Sequence, residues 1–148
     1  MAEIESPDTV IIRYTIAAPR ERVFAAWTTP EQLRQWWGPT DFTCPEAEVD
    51  LRPGGGYRLQ MQSPDGMVMT VGGTYDTVEP PQLLAYTWRW LGPPMDSEPE
   101  SHVTVEFHDV EGDTEVVITH GRFPRGHDLS QYDVGWQSGL QKLERLLV

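Results

Sequence analysis

From Phe42 to His120 the apolar residues fall mainly on alternate positions, whereas from Leu129 to Leu147 they recur three and four apart. The first period belongs to half-buried β-strands and the second to one face of an α-helix. A succession of strands closed by one long helix buries both apolar faces when the strands enclose the helix. A cleft is then left between them, and strand parity tells which side chains line it.

The rest of the chain fits this frame. Val10, Ile12, Tyr14 and Ile16 alternate with Arg13 and Thr15 in a first strand, Val10 to Ala17. Pro19 suits a helix first turn, and Val23, Ala26 and Trp27 recur at helical spacing through Thr28. Thr29-Pro30-Glu31-Gln32 has the form of a capping box opening a second short helix, with Leu33, Trp36 and Trp37 on one face and Gly38-Pro39 as its stop. Pro53 and three glycines turn a strand carrying Ala47, Val49 and Leu51 into one carrying Tyr57, Leu59 and Met61. Ser63-Pro64-Asp65-Gly66 is the next turn, and Gly72-Gly73 suggests a bulge in the strand from Met67 to Val78. Leu84, Tyr86, Trp88 and Trp90 share the most aromatic strand face. Two more strands carry Val103, Val105 and Phe107, then Thr114, Val116, Ile118 and His120.

The expected fold is therefore α+β, with six or seven antiparallel strands, two short helices after the first strand and a long C-terminal helix. Gly92 to Ser101, rich in proline and acids, reads as a surface loop or lid. In the last helix Gly135 and Gly139 lie near the apolar stripe of Tyr132, Trp136 and Leu140. Each costs about 1 kcal/mol against alanine in a helix interior, so a side chain there would collide with the sheet or with a ligand.

Composition narrows the partners. The 148 residues suit a single domain, spanning 1–148 with its core from about residue 9. Cys44 is the lone cysteine and the first ten residues have no secretory pattern, so a cytoplasmic location is expected. No apolar run approaches the ~20 residues that cross a bilayer. A net charge of −12 repels phosphate backbones and anionic lipid, which argues against nucleic-acid and membrane partners. A homodimer stays open.

Little in the chain has the spacing of a catalytic motif. His102, His108, His120 and His127 form no tetrahedral metal set, and no metal or cofactor is expected. Gly54-Gly55-Gly56 links two strands rather than cradling a phosphate, and Glu46, Glu48 and Asp50 should face solvent. Cys44 reads as a buried, inert thiol. His120 continues the inward parity of Val116 and Ile118. It is either a hydrogen-bonded structural histidine or a group that orients a ligand or moves a proton. The expected cavity lining comprises Leu59, Met61, Met69, Tyr86, Trp88, Trp90, Val105, Phe107, Ile118, His120, Tyr132, Trp136 and Leu140. Its aromatics and methionines would make an adaptable apolar pocket for a hydrophobic or aromatic small molecule.

Five motifs in order carry a resemblance: Ala18-Pro19-Arg20-Glu21-Arg22-Val23-Phe24, Pro30-Glu31-Gln32-Leu33 with Trp36-Trp37-Gly38-Pro39, Asp50-Leu51-Arg52-Pro53-Gly54-Gly55, Thr87-Trp88 and Gly135-Trp136. From Thr9 to Val148 the chain resembles the START-like helix-grip (SRPBCC) superfamily, in the branch related to the C-terminal domain of the activator of the Hsp-ninety ATPase. The resemblance implies a curved sheet around the C-terminal helix and a hydrophobic ligand between them. It also implies two alternatives, a cyclase-like or dehydratase-like enzyme on the same cavity and a co-chaperone that binds a protein.

Overall fold

The computed structural model describes residues 8–93 and 95–148 in full and residues 2–6 as backbone. Strands β1 (Ala2–Ser6) and β2 (Thr9–Ile16) lead into helices α1 (Arg20–Thr28) and α2 (Pro30–Trp36). Then come β3 (Ala47–Val49), β4 (Gly56–Gln62), β5 (Val68–Glu79), β6 (Leu83–Leu91), β7 (Ser101–Val110), β8 (Asp113–Gly121) and the terminal helix α3 (Ser130–Leu147). All neighbours pair antiparallel in the order β1-β2-β8-β7-β6-β5-β4-β3. Where six or seven strands were expected, β2 to β8 make seven, and β1 adds an eighth at the edge. Among the described residues no helix is long and apolar enough to cross a membrane.

Strand parity sets the concave face. Val10, Ile12 and Ile16 on β2, Val103, Val105 and Phe107 on β7, and Val116, Ile118 and His120 on β8 are all buried. They form one layer because β2 pairs with β8 and β8 with β7 in register, Val10 opposite His120 and His120 opposite Val103. Tyr132, Trp136, Gly139, Leu140, Leu143 and Leu147 are the buried stripe of α3. Two polar clamps hold this helix. Tyr14 Oη donates to Glu144 Oε1 at 2.7 Å, and Lys142 Nζ donates to the carbonyls of Gly38, Pro39 and Phe42 at 3.2, 3.1 and 2.9 Å.

Two local expectations change. Thr29 makes no side-chain cap, so the capping box does not form. Thr29 instead joins two helices with its backbone: its N–H donates to Ala25 O at 2.9 Å and its carbonyl accepts from Gln32 and Leu33. The Gln32 N–H that a capping-box hydroxyl would serve is thereby taken, and Pro30 brings none. The irregularity in β5 lies between Tyr75 and Thr77 rather than at Gly72-Gly73. Gly73 answers a close approach instead, since a Cβ there would stand 2.1 Å from Thr87 O. That carbonyl is held in place by Tyr57 Oη at 2.7 Å, while Thr87 Oγ1 accepts from the Thr74 N–H at 2.9 Å.

Candidate functional site

Between α3 and the concave face of β4 to β6 lies a cleft of about 640 Å³. Met61, Met69, Trp88 and Trp90 form its floor because alternate residues of β4, β5 and β6 point the same way. One wall is the end of α2 and the turn after it, from Trp36 to Phe42, which Lys142 clamps from behind. The other is α3, through Tyr132, Gly135, Trp136 and Gly139. A Cβ on Gly135 would meet nothing within 4 Å, and one on Gly139 would make ordinary contact with Gly38 and Trp36 at 3.7 and 3.8 Å. Of the two readings of these helix glycines, open space fits Gly135 and packing fits Gly139.

The aromatic walls are mutually braced. Trp37 stands edge-on to Trp136 at 5.5 Å, Trp88 lies 5.5 Å from Trp136 and 5.6 Å from Trp90, and Trp37 and Trp88 are tilted against one another at 5.9 Å. Most of the indole N–H groups find an acceptor. Trp36 donates to Ala26 O at 2.9 Å, Trp90 to Tyr132 Oη at 3.1 Å, Trp136 to His120 Nδ1 at 3.1 Å and Trp27 to Tyr86 Oη at 3.4 Å. The N–H groups of Trp37 and Trp88 are buried and have no partner among the described residues.

Polar groups gather at the mouth. Glu98, from the loop after β6, accepts from Tyr132 Oη at 3.3 Å and lies 3.0 Å from His127 Nε2. The His127 ring in turn stacks on Phe123. Burial, with Glu98 nearby, pushes the Tyr132 phenol up to about 12. Asp128 accepts from the Ser130 N–H and Oγ at 3.0 and 2.8 Å, bonds that hold its carboxyl below the usual range.

Of the residues assigned to the cavity from parity, Met61, Met69, Trp88, Trp90, Tyr132 and Trp136 come together in the cleft. Leu59 and Tyr86 line only a pinched space of about 10 Å³ beside it. Val105, Phe107, Ile118 and Leu140 face inward but lie in the packed core. His120 is fully buried behind Trp136 and Trp88, with both ring nitrogens engaged. Because the indole of Trp136 can only donate, Nδ1 is the acceptor and Nε2 carries the proton toward Ser101 Oγ at 2.8 Å. Burial, with a smaller contribution from His102, pushes its pKa down to about 3. His120 is therefore neutral and positions the Trp136 wall.

The remaining candidates sit apart from the cleft. His102 pairs with Asp76 at 2.7 Å and His108 with Glu106 at 3.0 Å. Glu46, Glu48 and Asp50 are exposed, and among the described residues no three His, Cys, Asp or Glu side chains are grouped to hold a metal ion. Burial pushes the Cys44 thiol up to about 11, away from the reactive thiolate. The sequence also pointed to Trp36 and Trp37, with Trp88, Trp90 and Trp136, as an aromatic box, and all five line the cleft. Glu98, His127 and Lys142 were missed, and Glu98 and His127 lie in loops, where parity has no meaning. The one available signal for Lys142 was its being the single lysine of the chain.

Residues 17–148 match the family described as Activator of Hsp90 ATPase homolog 1-like protein. No curated protein matches the chain. Among solved structures it is similar to a protein from Chromobacterium violaceum at 26% identity, covering 95% of this chain and 97% of that one, with a TM-score of 0.85. A protein from Staphylococcus epidermidis is 27% identical over 99% of this chain and 93% of its own, with a TM-score of 0.82. The AHSA1 protein from Silicibacter pomeroyi is 26% identical over 94% and 96%, with a TM-score of 0.82. A family match over nearly the whole chain, on a sheet wrapped around one C-terminal helix, makes this protein a member of the Activator of Hsp90 ATPase homolog 1-like family.

Proposed function

We propose that the protein binds a hydrophobic or aromatic small molecule in the cleft between the sheet and α3. The observation that carries this reading is a space of about 640 Å³ walled by Trp36, Trp37, Trp88, Trp90 and Trp136. Its volume falls within the roughly 300–1,000 Å³ of ordinary ligand pockets, and its few polar groups are confined to one end, the pattern that orients a ligand. Met61, Met69 and Met95 supply unbranched, adaptable side chains around it.

Gly135 offers the test, because a side chain there enters open space. The wild-type protein should bind the neutral apolar dye Nile red at one site with a blue-shifted emission. Gly135→Leu should weaken that binding by tenfold or more and leave the far-ultraviolet circular dichroism unchanged. Undiminished dye binding by a folded Gly135→Leu variant would place the ligand elsewhere.

A second reading is an enzyme of cyclase-like or dehydratase-like type on the same cavity. The pair of Glu98 and His127, 3.0 Å apart at the mouth, favours it, because a carboxylate beside an imidazole is an acid-base arrangement. His120, sealed behind Trp136, does not serve that reading.

A further inference from the structure

Resting on the binding reading above, we propose that the ligand carries an uncharged oxygen acceptor of carbonyl type, which pairs with the indole N–H groups of Trp37 and Trp88. Trp27, Trp36, Trp90 and Trp136 donate to acceptors of the chain, so the aromatic core satisfies its donors wherever an oxygen or nitrogen is in reach. Trp37 and Trp88, each 4% exposed, are the exceptions among the described residues, and both line the cleft. A buried donor without a partner carries a desolvation cost that an acceptor removes. The cleft is the space beside both rings from which such an acceptor can come.

Both nitrogens are closed to water, so the acceptor reaches them when a neighbouring side chain yields. Met61 and Met69, unbranched side chains that line the same cleft, have that freedom. The charge of the acceptor follows from the mouth. Glu98 and Asp128 border the cleft and no lysine or arginine lines it, so a carboxylate or phosphate meets repulsion on entry. A ketone, quinone or lactone oxygen on an aromatic body meets none.

Fluorene and 9-fluorenone share one skeleton and differ by the carbonyl oxygen, so titration calorimetry with the two isolates the hydrogen bond. Fluorenone should bind about 2- to 12-fold more tightly than fluorene, the range of one net hydrogen bond. That preference should fall to near unity in a Trp37→Phe, Trp88→Phe double variant that still binds fluorene. Should the variant fail to fold, the wild type decides: the side-chain N–H resonances of Trp37 and Trp88 should move downfield with fluorenone and not with fluorene. Equal affinities in the wild type, with neither resonance shifted, would overturn the proposal and leave the cleft as a binding site, the donors then resting on neighbouring ring faces. A preference that survives in the double variant would remove these two residues from the role. Failure of both compounds to bind would overturn the cleft reading itself.

Discussion

His120 shows how much of a residue's chemistry is set by what closes over it. Its Nδ1 accepts from Trp136, its Nε2 faces Ser101, and burial takes its pKa to about 3. In the unfolded chain an imidazole titrates near 6.5. Between these values the unfolded state takes up a proton that the native state refuses, so stability falls as pH drops below about 6.5 and is fully present above it. The slope approaches about 1.4 kcal/mol per pH unit for one proton. His120→Gln should therefore lose stability at pH 7.5 and show a shallower fall between pH 6 and pH 4 than the wild type, measured by urea unfolding. Parallel curves would mean that the imidazole is protonated in the native state.

At the scale of elements, the cleft exists because α3 is held away from β4 to β6 while it packs tightly on β2 and α2. Lys142 and Tyr14 tie its C-terminal half, and burial lowers the pKa of the Lys142 ammonium without removing its four carbonyl partners. Glycines mark the two kinds of contact. Gly73 lies under Thr87, where β5 and β6 approach so closely that a Cβ has no room, whereas Gly135 faces open space. Gly73→Ala should cost about 3 kcal/mol by forcing one strand off the other. Gly135→Ala should gain up to about 1 kcal/mol from helix propensity. Thermal unfolding of the pair checks both signs, and a harmless Gly73→Ala would mean that β6 shifts freely.

Over the whole molecule, a net charge of −12 and a mouth bordered by Glu98 and Asp128 impose a sign on what enters. Exposed charges act over roughly 30 Å at 0.01 M salt and about 3 Å at 1 M. Naphthaleneacetate should therefore bind more tightly as salt rises from 0.01 to 0.5 M, while 2-naphthalenemethanol should show little change. An anionic probe that weakens with added salt would reveal a cationic contact in the cleft.

Period two from Phe42 to His120 and the three-and-four spacing of α3 determined the strands, the terminal helix and which faces turn inward, because an alternating side chain has only two directions to point. Met61, Met69, Trp88, Trp90, Tyr132 and Trp136 were legible on that ground alone. Parity carries no depth, however. Ile118 and Trp88 point to the same side of the sheet, yet α3 covers one and leaves the other beside open space. Only the tertiary structure decided that, along with the pairing of Glu98 with His127, the clamp of Lys142 and the two unpartnered indoles. Each of these depends on groups brought together from distant parts of the chain by the curl of the sheet.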